Sequence, residues 1–287
     1  MISRRNLIKG SAAFLGLGLL HNFQDLFASD TPRKFSIGAC DWSLGKTSDI
    51  QSFEVAKIIG LDGVQVSPGT FENDMHLFRN AIQKQFLSEA KKQGVQVGGL
   101  GLGILNKVPY ASDPRAEQWV DKTIDVAKAM NVKVILVAFF EEGDIKNYKK
   151  GQKEVINRFK KVAPKAEKAG VILGIESWLS AKEHMYIIDE VGSPNLQVYY
   201  DVANSHKMGY NIYDEIRWLG KNICEFHAKE NGYLLGQGKI DFKEVRKAID
   251  DIAFQGWVHI EGAVPPQKEL VESYVANNKF LRGILKV

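Results

Sequence analysis

Beyond residue 34 the chain alternates short apolar runs with longer amphipathic stretches, and it does so eight times. The longer stretches repeat apolar side chains every three or four positions, as in Val155, Phe159, Val162 and Ala166, which is the period of a helix. The short runs are rich in β-branched residues and cover 35–39, 63–66, 96–100, 132–137, 171–176, 196–201, 223–227 and 257–260. Strands that alternate with helices pair in parallel through right-handed crossovers, and eight such units close into a barrel.

We therefore predict an α/β fold, a single-domain (β/α)8 TIM barrel, over residues 31–287. The length agrees with this fold, because such barrels typically need about 250 residues. A doubly wound open sheet would normally carry a glycine-rich phosphate loop after its first strand, and none is present there. The segment from Gly99 to Gly103 has three glycines, but it lacks the spacing into a helix that such a loop requires.

The first thirty residues carry a different signal. Residues 3–9 read Ser-Arg-Arg-Asn-Leu-Ile-Lys, and a weakly apolar stretch follows from Gly10 to Leu20. Paired arginines ahead of a weak apolar region are typical of a twin-arginine leader, so we predict that residues 1–30 direct export to the periplasm. A basic start followed by an amphipathic helix is the alternative interpretation.

The charge balance of the remaining chain argues against a nucleic-acid partner. The whole sequence has 38 basic and 34 acidic residues, and removing residues 1–28, which hold Arg4, Arg5, Lys9 and Asp25, leaves 35 and 33. A nearly neutral surface does not attract a polyanion. No internal apolar stretch reaches the roughly 18 to 20 residues of a membrane span, so we expect no stable span after export. The two cysteines, Cys40 and Cys224, are interpreted as small apolar residues near strands rather than as a disulfide.

Four consecutive predicted strands, the fifth to the eighth, each end in a side chain that can bind a metal: Glu176, Asp201, His227 and Glu261. In a barrel the carboxyl ends of the strands form one rim, where active sites lie. Three carboxylates brought together there would repel one another and raise their pKa values. A divalent cation removes that penalty, so the pattern predicts one bound Mn²⁺, Mg²⁺, Co²⁺ or Zn²⁺.

The sequence around these residues resembles the xylose-isomerase-like family of sugar isomerases and epimerases, here as an exported member. The resemblance covers essentially the whole chain after the leader. It lies in Gly-Ile-Glu176, Tyr-Asp201-Val-Ala-Asn, Phe-His227-Ala-Lys, Gly236-Gln-Gly238-Lys-Ile-Asp241 and His-Ile-Glu261-Gly. It implies that the four matching positions bind one divalent metal and that Glu176 and Glu261 act as acid and base on opposite faces of a small sugar substrate.

The chemistry implied is proton abstraction beside a carbonyl. A metal bound to the carbonyl and its neighbouring hydroxyl stabilises an enediolate, while a carboxylate removes the proton. Return of the proton to the other face gives epimerisation, and return to the neighbouring carbon gives isomerisation. A leaving group beside the carbanion would turn the same machinery into a lyase, for example on a 3-keto-glycoside.

One position departs from the family pattern. Many epimerases of the family carry a histidine three residues after the sixth-strand aspartate, where this chain has Asn204, and His206 lies two residues further on. We expect both side chains to contact substrate, and the change favours an unusual sugar over a free ketose. Lys229, Trp42 and Trp178 also follow strands and are predicted to contact substrate. Phe139 and Phe140 are candidate pocket walls, and the loop Gly232–Gly238 is either a mobile lid or a tight turn.

Two more residues should support the ligands from below. Glu225 shares strand parity with His227, and His259 shares it with Glu261, so both should point into the barrel. We predict that Glu225 and His259 form a pair that orients the ligands. A bulge that turns one of them outward is the alternative.

Two functions of other classes compete with the enzyme hypothesis. A DNA-repair endonuclease of the same barrel type uses several zinc ions and needs many more histidines than the five found outside the leader. A non-catalytic periplasmic sugar-binding protein is the second rival, and it predicts sugar binding that chelators do not affect.

Overall fold

The computed structural model describes residues 34–287. Within this range eight parallel strands form a closed barrel in sequence order, and the last strand pairs with the first. The strands are β1 (Phe35–Cys40), β2 (Gly63–Val66), β3 (Gln96–Leu102), β4 (Val134–Phe139), β5 (Ile172–Ser177), β6 (Leu196–Asp201), β7 (Ile223–Ala228) and β8 (Gly256–Ile260). The predicted (β/α)8 TIM barrel is therefore confirmed, whereas the predicted leader lies outside the described residues and stays a prediction.

Helices alternate with these strands and pack around them. They are α1 (Ser52–Ile59), α2 (Asn80–Gln93), α3 (Pro114–Met130), α4 (Lys149–Ala169), α5 (Ala181–Val191), α6 (Val202–Lys207), α7 (Ile212–Leu219), α8 (Phe242–Asp251) and α9 (Leu270–Leu285). Asp113 caps α3 by accepting a hydrogen bond from Arg115 N, and Pro114 occupies the first turn. Gly170 ends α4 at φ 68°, a left-handed conformation that glycine adopts without strain. Within residues 34–287, no helix combines the length and the apolar character that crossing a bilayer requires.

Aromatic side chains of β8 fill the lower part of the barrel interior. The rings of Trp257 and His259 stack with centroids 5.3 Å apart and planes 12° from parallel. They lean over β1, β2 and β3, where glycines face them. A Cβ on Gly38 would lie 2.5 Å from His259 Cδ2, and one on Gly63 would lie 2.4 Å from Trp257 Cη2. These glycines therefore make room for the β8 rings that form the floor beneath the upper rim of the barrel.

The outer core lies between the strands and the helices. Phe139, at the end of β4, is fully buried there against Tyr110 and Phe159, with ring centroids 6.1 and 6.2 Å away. The next residue, Phe140, points the other way into the mouth of the barrel, because side chains alternate along an extended chain. The prediction that Phe139 forms part of the pocket wall is therefore wrong.

Candidate metal and sugar site

The four predicted ligands come together at the carboxyl rim of the barrel. Glu176 lies near the end of β5, Asp201 ends β6, His227 lies near the end of β7 and Glu261 follows β8. One ligand atom from each lies within 4.8 Å of the others. His227 Nδ1 is 2.8 Å from Glu176 Oε1, 3.6 Å from Glu261 Oε2 and 4.0 Å from Asp201 Oδ2. Parallel pairing of successive strands produces this convergence, as the sequence predicted.

Asp201 has one oxygen committed to the backbone and one that is uncommitted. Its Oδ1 accepts hydrogen bonds from Ala203 N and Asn204 N and so caps helix α6. Its Oδ2 is buried and has no hydrogen-bond partner, and the ammonium nitrogen of Lys229 is 3.7 Å away. A buried carboxylate oxygen without a partner is costly, and a cation is the partner that this position suits best.

Glu261 is held from two sides. Trp42 Nε1 donates to its Oε1 at 2.9 Å, and Lys229 Nζ donates to its Oε2 at 2.7 Å. Burial would raise the pKa of Glu261, but His227, Lys229 and the Trp42 hydrogen bond together lower it to about 2. For Asp201 burial dominates and raises the pKa to about 7, with Glu261 and Glu176 adding repulsion and Lys229 and His227 opposing it. Asp201 is therefore the carboxylate whose ionisation a further positive charge would favour most.

The donor set fits a divalent ion. Three carboxylates and one ammonium group carry a formal charge of −2 when His227 is neutral, which a divalent cation cancels. Oxygen donors with one imidazole nitrogen suit Mn²⁺, Mg²⁺, Co²⁺ or Zn²⁺, and the uncommitted Oδ2 of Asp201 is one of those donors. Glu176, Asp201, His227 and Glu261 are therefore the residues that would hold such an ion.

The orientation of the His227 ring agrees with a ligand role. Its Nε2 is 3.1 Å from Gln65 Oε1 and 3.2 Å from Cys40 Sγ. An amide oxygen only accepts, so Nε2 carries a hydrogen. Nδ1 donates a second hydrogen to Glu176 Oε1 at 2.8 Å: burial would lower the pKa of His227, but Cys40 and the carboxylates of Glu176 and Glu261 raise it well above its usual range. A bound cation would replace this second proton, because a metal ligand must offer the lone pair of Nδ1. Gln65 Nε2 in turn donates to the hydroxyl of Tyr199 at 3.1 Å. Gln65 is not among the residues predicted from the sequence, although a lone polar residue in the apolar strand Gly-Val-Gln-Val is a signal that could have indicated it.

Glu225 and His259 do lie together in the barrel interior, with His259 Nδ1 3.5 Å from Glu225 Oε2. Burial raises the pKa of Glu225 well above its usual range, and burial with the nearby His227 lowers the pKa of His259. The pair is therefore a neutral acid beside a neutral imidazole. His259 Nδ1 lies closer to the hydroxyl of Tyr199, at 2.9 Å, than to Glu225. The pair is therefore connected to His227 through Tyr199 and Gln65.

A cavity of about 830 Å³ opens above the four candidate ligands. Of the predicted substrate contacts, Trp42, Trp178, Asn204 and Lys229 line it. His206 does not line it, because two residues along helix α6 turn a side chain about 200° around the axis.

The loop Gly232–Gly238 does not line the cavity either. Leu235 N donates to Asn277 Oδ1 at 2.9 Å, and a Cβ on Gly236 would meet the ring of Phe280 at 2.4 Å. These contacts tie the loop to helix α9, so of the two interpretations the structure favours a packed turn over a lid across the site.

A closed barrel with a possible metal site at its carboxyl rim defines the class of protein. Residues 53–282 match the xylose isomerase-like TIM barrel family, and the chain belongs to that family. A curated relative, D-psicose 3-epimerase from Enterocloster bolteae, is 26% identical over 122 residues, and the alignment spans 39% of this chain and only 40% of that protein.

Solved structures show the same fold. D-psicose 3-epimerase from Clostridium cellulolyticum H10, solved with D-tagatose, superposes with a TM-score of 0.74 at 19% identity, covering 87% of this chain and 99% of that one. A 3-keto-D-glucoside 4-epimerase from E. coli superposes with a TM-score of 0.71 at 15% identity, covering 87% of this chain and 100% of that one.

Proposed function

We propose that this chain is a divalent-metal-dependent isomerase or epimerase that moves a proton beside the carbonyl of a keto-sugar. The observation that carries the proposal is the convergence of Glu176, Asp201, His227 and Glu261 within 4.8 Å, beneath a cavity of about 830 Å³. The curated and solved relatives named above are sugar epimerases, and this supports the reaction class.

A divalent ion held there would polarise a carbonyl and stabilise the negative charge that develops as the neighbouring proton leaves. Glu176 and Glu261 both line the cavity and are assigned as the groups that take and return the proton. Lys229 is 2.7 Å from Glu261 and offers further N–H donors to a sugar oxygen. Trp42 and Trp178 supply flat apolar walls that exclude water and orient the ring.

The test is solvent-deuterium exchange into keto-sugars, followed by NMR with and without Mn²⁺. We expect Glu176→Gln and Glu261→Gln to lower exchange by at least about 10²-fold, since each removes a group that carries the proton. Glu190→Gln, on the exposed face of α5, is the matched control and should leave exchange unchanged. Full exchange in either site variant would refute the assigned roles.

Metal binding is tested separately by thermal unfolding of chelator-treated protein. An ion present at about 1,000 times its Kd should raise the free energy of unfolding by about 4 kcal/mol, a shift in Tm of roughly 8 to 16 °C for a domain of this size. No shift with Mn²⁺, Mg²⁺, Co²⁺ or Zn²⁺ would remove the metal from the proposal. Sugar binding that chelators leave unchanged, with no exchange on any sugar, would instead identify a non-catalytic binding protein.

A further inference from the structure

The cavity extends far beyond the four candidate ligands. They belong to β5 through β8 or follow them, but the cavity also reaches the opposite side of the barrel mouth, where it is lined by residues that follow β2, β3 and β4, among them Phe71, Glu72, Lys107 and Glu141. At about 30 Å³ per displaced water, a single hexose occupies on the order of 200 Å³. The cavity has about 830 Å³, so one sugar ring beside Glu176 and Glu261 would leave most of it filled with water.

An aromatic side chain stands on this far wall in a fixed position. Phe71 is 49% exposed, and its ring packs edge-on against Trp119 with centroids 6.0 Å apart. The loop that carries it is tied down, because Asn73 Oδ1 accepts from Thr70 N at 2.8 Å and Asn73 Nδ2 donates to Ser48 Oγ at 3.2 Å. An exposed aromatic ring on the wall of a cavity offers an apolar face against which a sugar ring can pack.

The charges of the far wall favour an uncharged second group over an anionic one. Apart from the candidate metal site, the charged residues of the lining are Glu72, Glu141 and Lys107. The Arg115 guanidinium lies 5.9 Å from the centroid of the Phe71 ring, and it is paired with Asp113 at 2.7 Å. A phosphate or a carboxylate on the second group would meet two glutamates and a single lysine in this part of the lining, which is not the cluster of cations that holds such an anion. Hydroxyl groups, in contrast, can donate to the carboxylates and accept from the lysine.

We propose that the substrate has two uncharged sugar rings: a keto-sugar ring at Glu176 and Glu261, joined by a glycosidic bond to a second ring that packs on Phe71. The identity of the reacting ring rests on the proposed function. The site for the second ring rests on the cavity and on Phe71, so the two parts can fail separately.

The kinetic test compares two probes that differ only in the second ring: trehalose oxidised to a ketone at C3 of one ring, and methyl 3-keto-α-D-glucopyranoside. We expect kcat/KM for solvent-deuterium exchange to be at least about tenfold higher for the two-ring probe, because the one-ring probe has no second ring to contact Phe71. Phe71→Ala should abolish this preference by raising KM for the two-ring probe while leaving the one-ring probe unchanged. Trp218→Ala removes an aromatic that is 55% exposed and lies outside the cavity, and it serves as the matched control.

A binding measurement that needs no turnover separates the two parts. Unoxidised trehalose should bind the wild-type protein, by calorimetry or by ligand-observed NMR, about tenfold more tightly than it binds Phe71→Ala, whereas Trp218→Ala should match wild type. Equal kcat/KM for both probes, or loss of both in Phe71→Ala, would overturn the second-ring site. Trehalose binding that depends on Phe71, with no exchange into any keto-sugar, would refute the proposed reaction and leave the second-ring site standing.

Discussion

Gly38→Ala tests how the floor of the site is built. A Cβ at this position would lie 2.5 Å from Cδ2 and 2.9 Å from Nε2 of His259, where ordinary carbon contacts are about 3.5 to 4.0 Å. The His259 ring cannot shift away from this methyl group, because it is fully buried and stacked on Trp257, and the Tyr199 hydroxyl holds it at 2.9 Å from its Nδ1. The new methyl group must therefore displace the ring or the strand.

The magnitude follows from three contributions. Overpacking a rigid core costs roughly 1 to 3 kcal/mol, and loss of the hydrogen bond between Tyr199 and His259 adds about 1 kcal/mol. Alanine also restricts the unfolded chain, which returns about 0.4 to 1 kcal/mol. We therefore expect Gly38→Ala to lower the free energy of unfolding by about 1 to 3.5 kcal/mol, and Tm by roughly 2 to 14 °C for a domain of this size.

The assay is thermal and guanidinium unfolding followed by circular dichroism, with two controls. A Cβ on Gly103 or on Gly283 would meet no atom within 4 Å. Gly103→Ala should therefore stay within about 0.5 kcal/mol of wild type, and Gly283→Ala in helix α9 should gain up to about 1 kcal/mol from helix propensity. Combining Gly38→Ala with His259→Ala should show a coupling of about 1 to 3 kcal/mol, because the clash disappears with the ring. Additive effects, or a Gly38→Ala variant as stable as Gly103→Ala, would disprove this account of the floor.

Two further predictions concern polar groups that support the rim. Burial lowers the pKa of His184 to about 4, with Nδ1 donating to Ser180 O and Nε2 accepting from Ser177. Below pH 6.5 the unfolded chain therefore binds a proton that the folded chain does not, and the free energy of unfolding should fall by up to about 3 kcal/mol between pH 6.5 and 4. His184→Gln should flatten this dependence in pH-resolved denaturation, and an unchanged slope would contradict it. Gln65→Leu removes the acceptor at His227 Nε2 and should weaken Mn²⁺ binding by about 10- to 100-fold in calorimetry, whereas an unchanged Kd would show that Gln65 does not orient the ring.

Much of the barrel could be predicted from the sequence because parallel strands covered on both sides are continuously apolar and therefore easy to locate. The runs predicted at 63–66 and 196–201 are the observed β2 and β6, and the other strands differ by one or two residues at one or both ends. The four candidate ligands could be predicted from the sequence for the same reason. A charged or imidazole side chain that ends an apolar strand stands out, and the barrel topology then places the ends of β5 through β8 beside one another.

Contacts that cross the barrel interior could not be predicted from the sequence. Gln65 on β2 and Cys40 on β1 reach His227 on β7 only because the sheet closes and large side chains cross its interior. The same closure explains why Gly38 and Gly63 must be glycine, since the rings that exclude their side chains come from β8. Helix geometry decided between Asn204, which faces the cavity, and His206, which does not.

The order of strands and the chemistry at their ends were thus determined by the sequence alone, because burial and the repeat of secondary structure are local properties. Only the tertiary structure decided that the uncommitted carboxylate oxygen of Asp201 and the Nδ1 atom of His227 lie on the same side of the site. It also decided how far the cavity extends and that Phe71 lies on its far wall. Those features depend on distances between segments far apart along the chain, and only the closed barrel sets them.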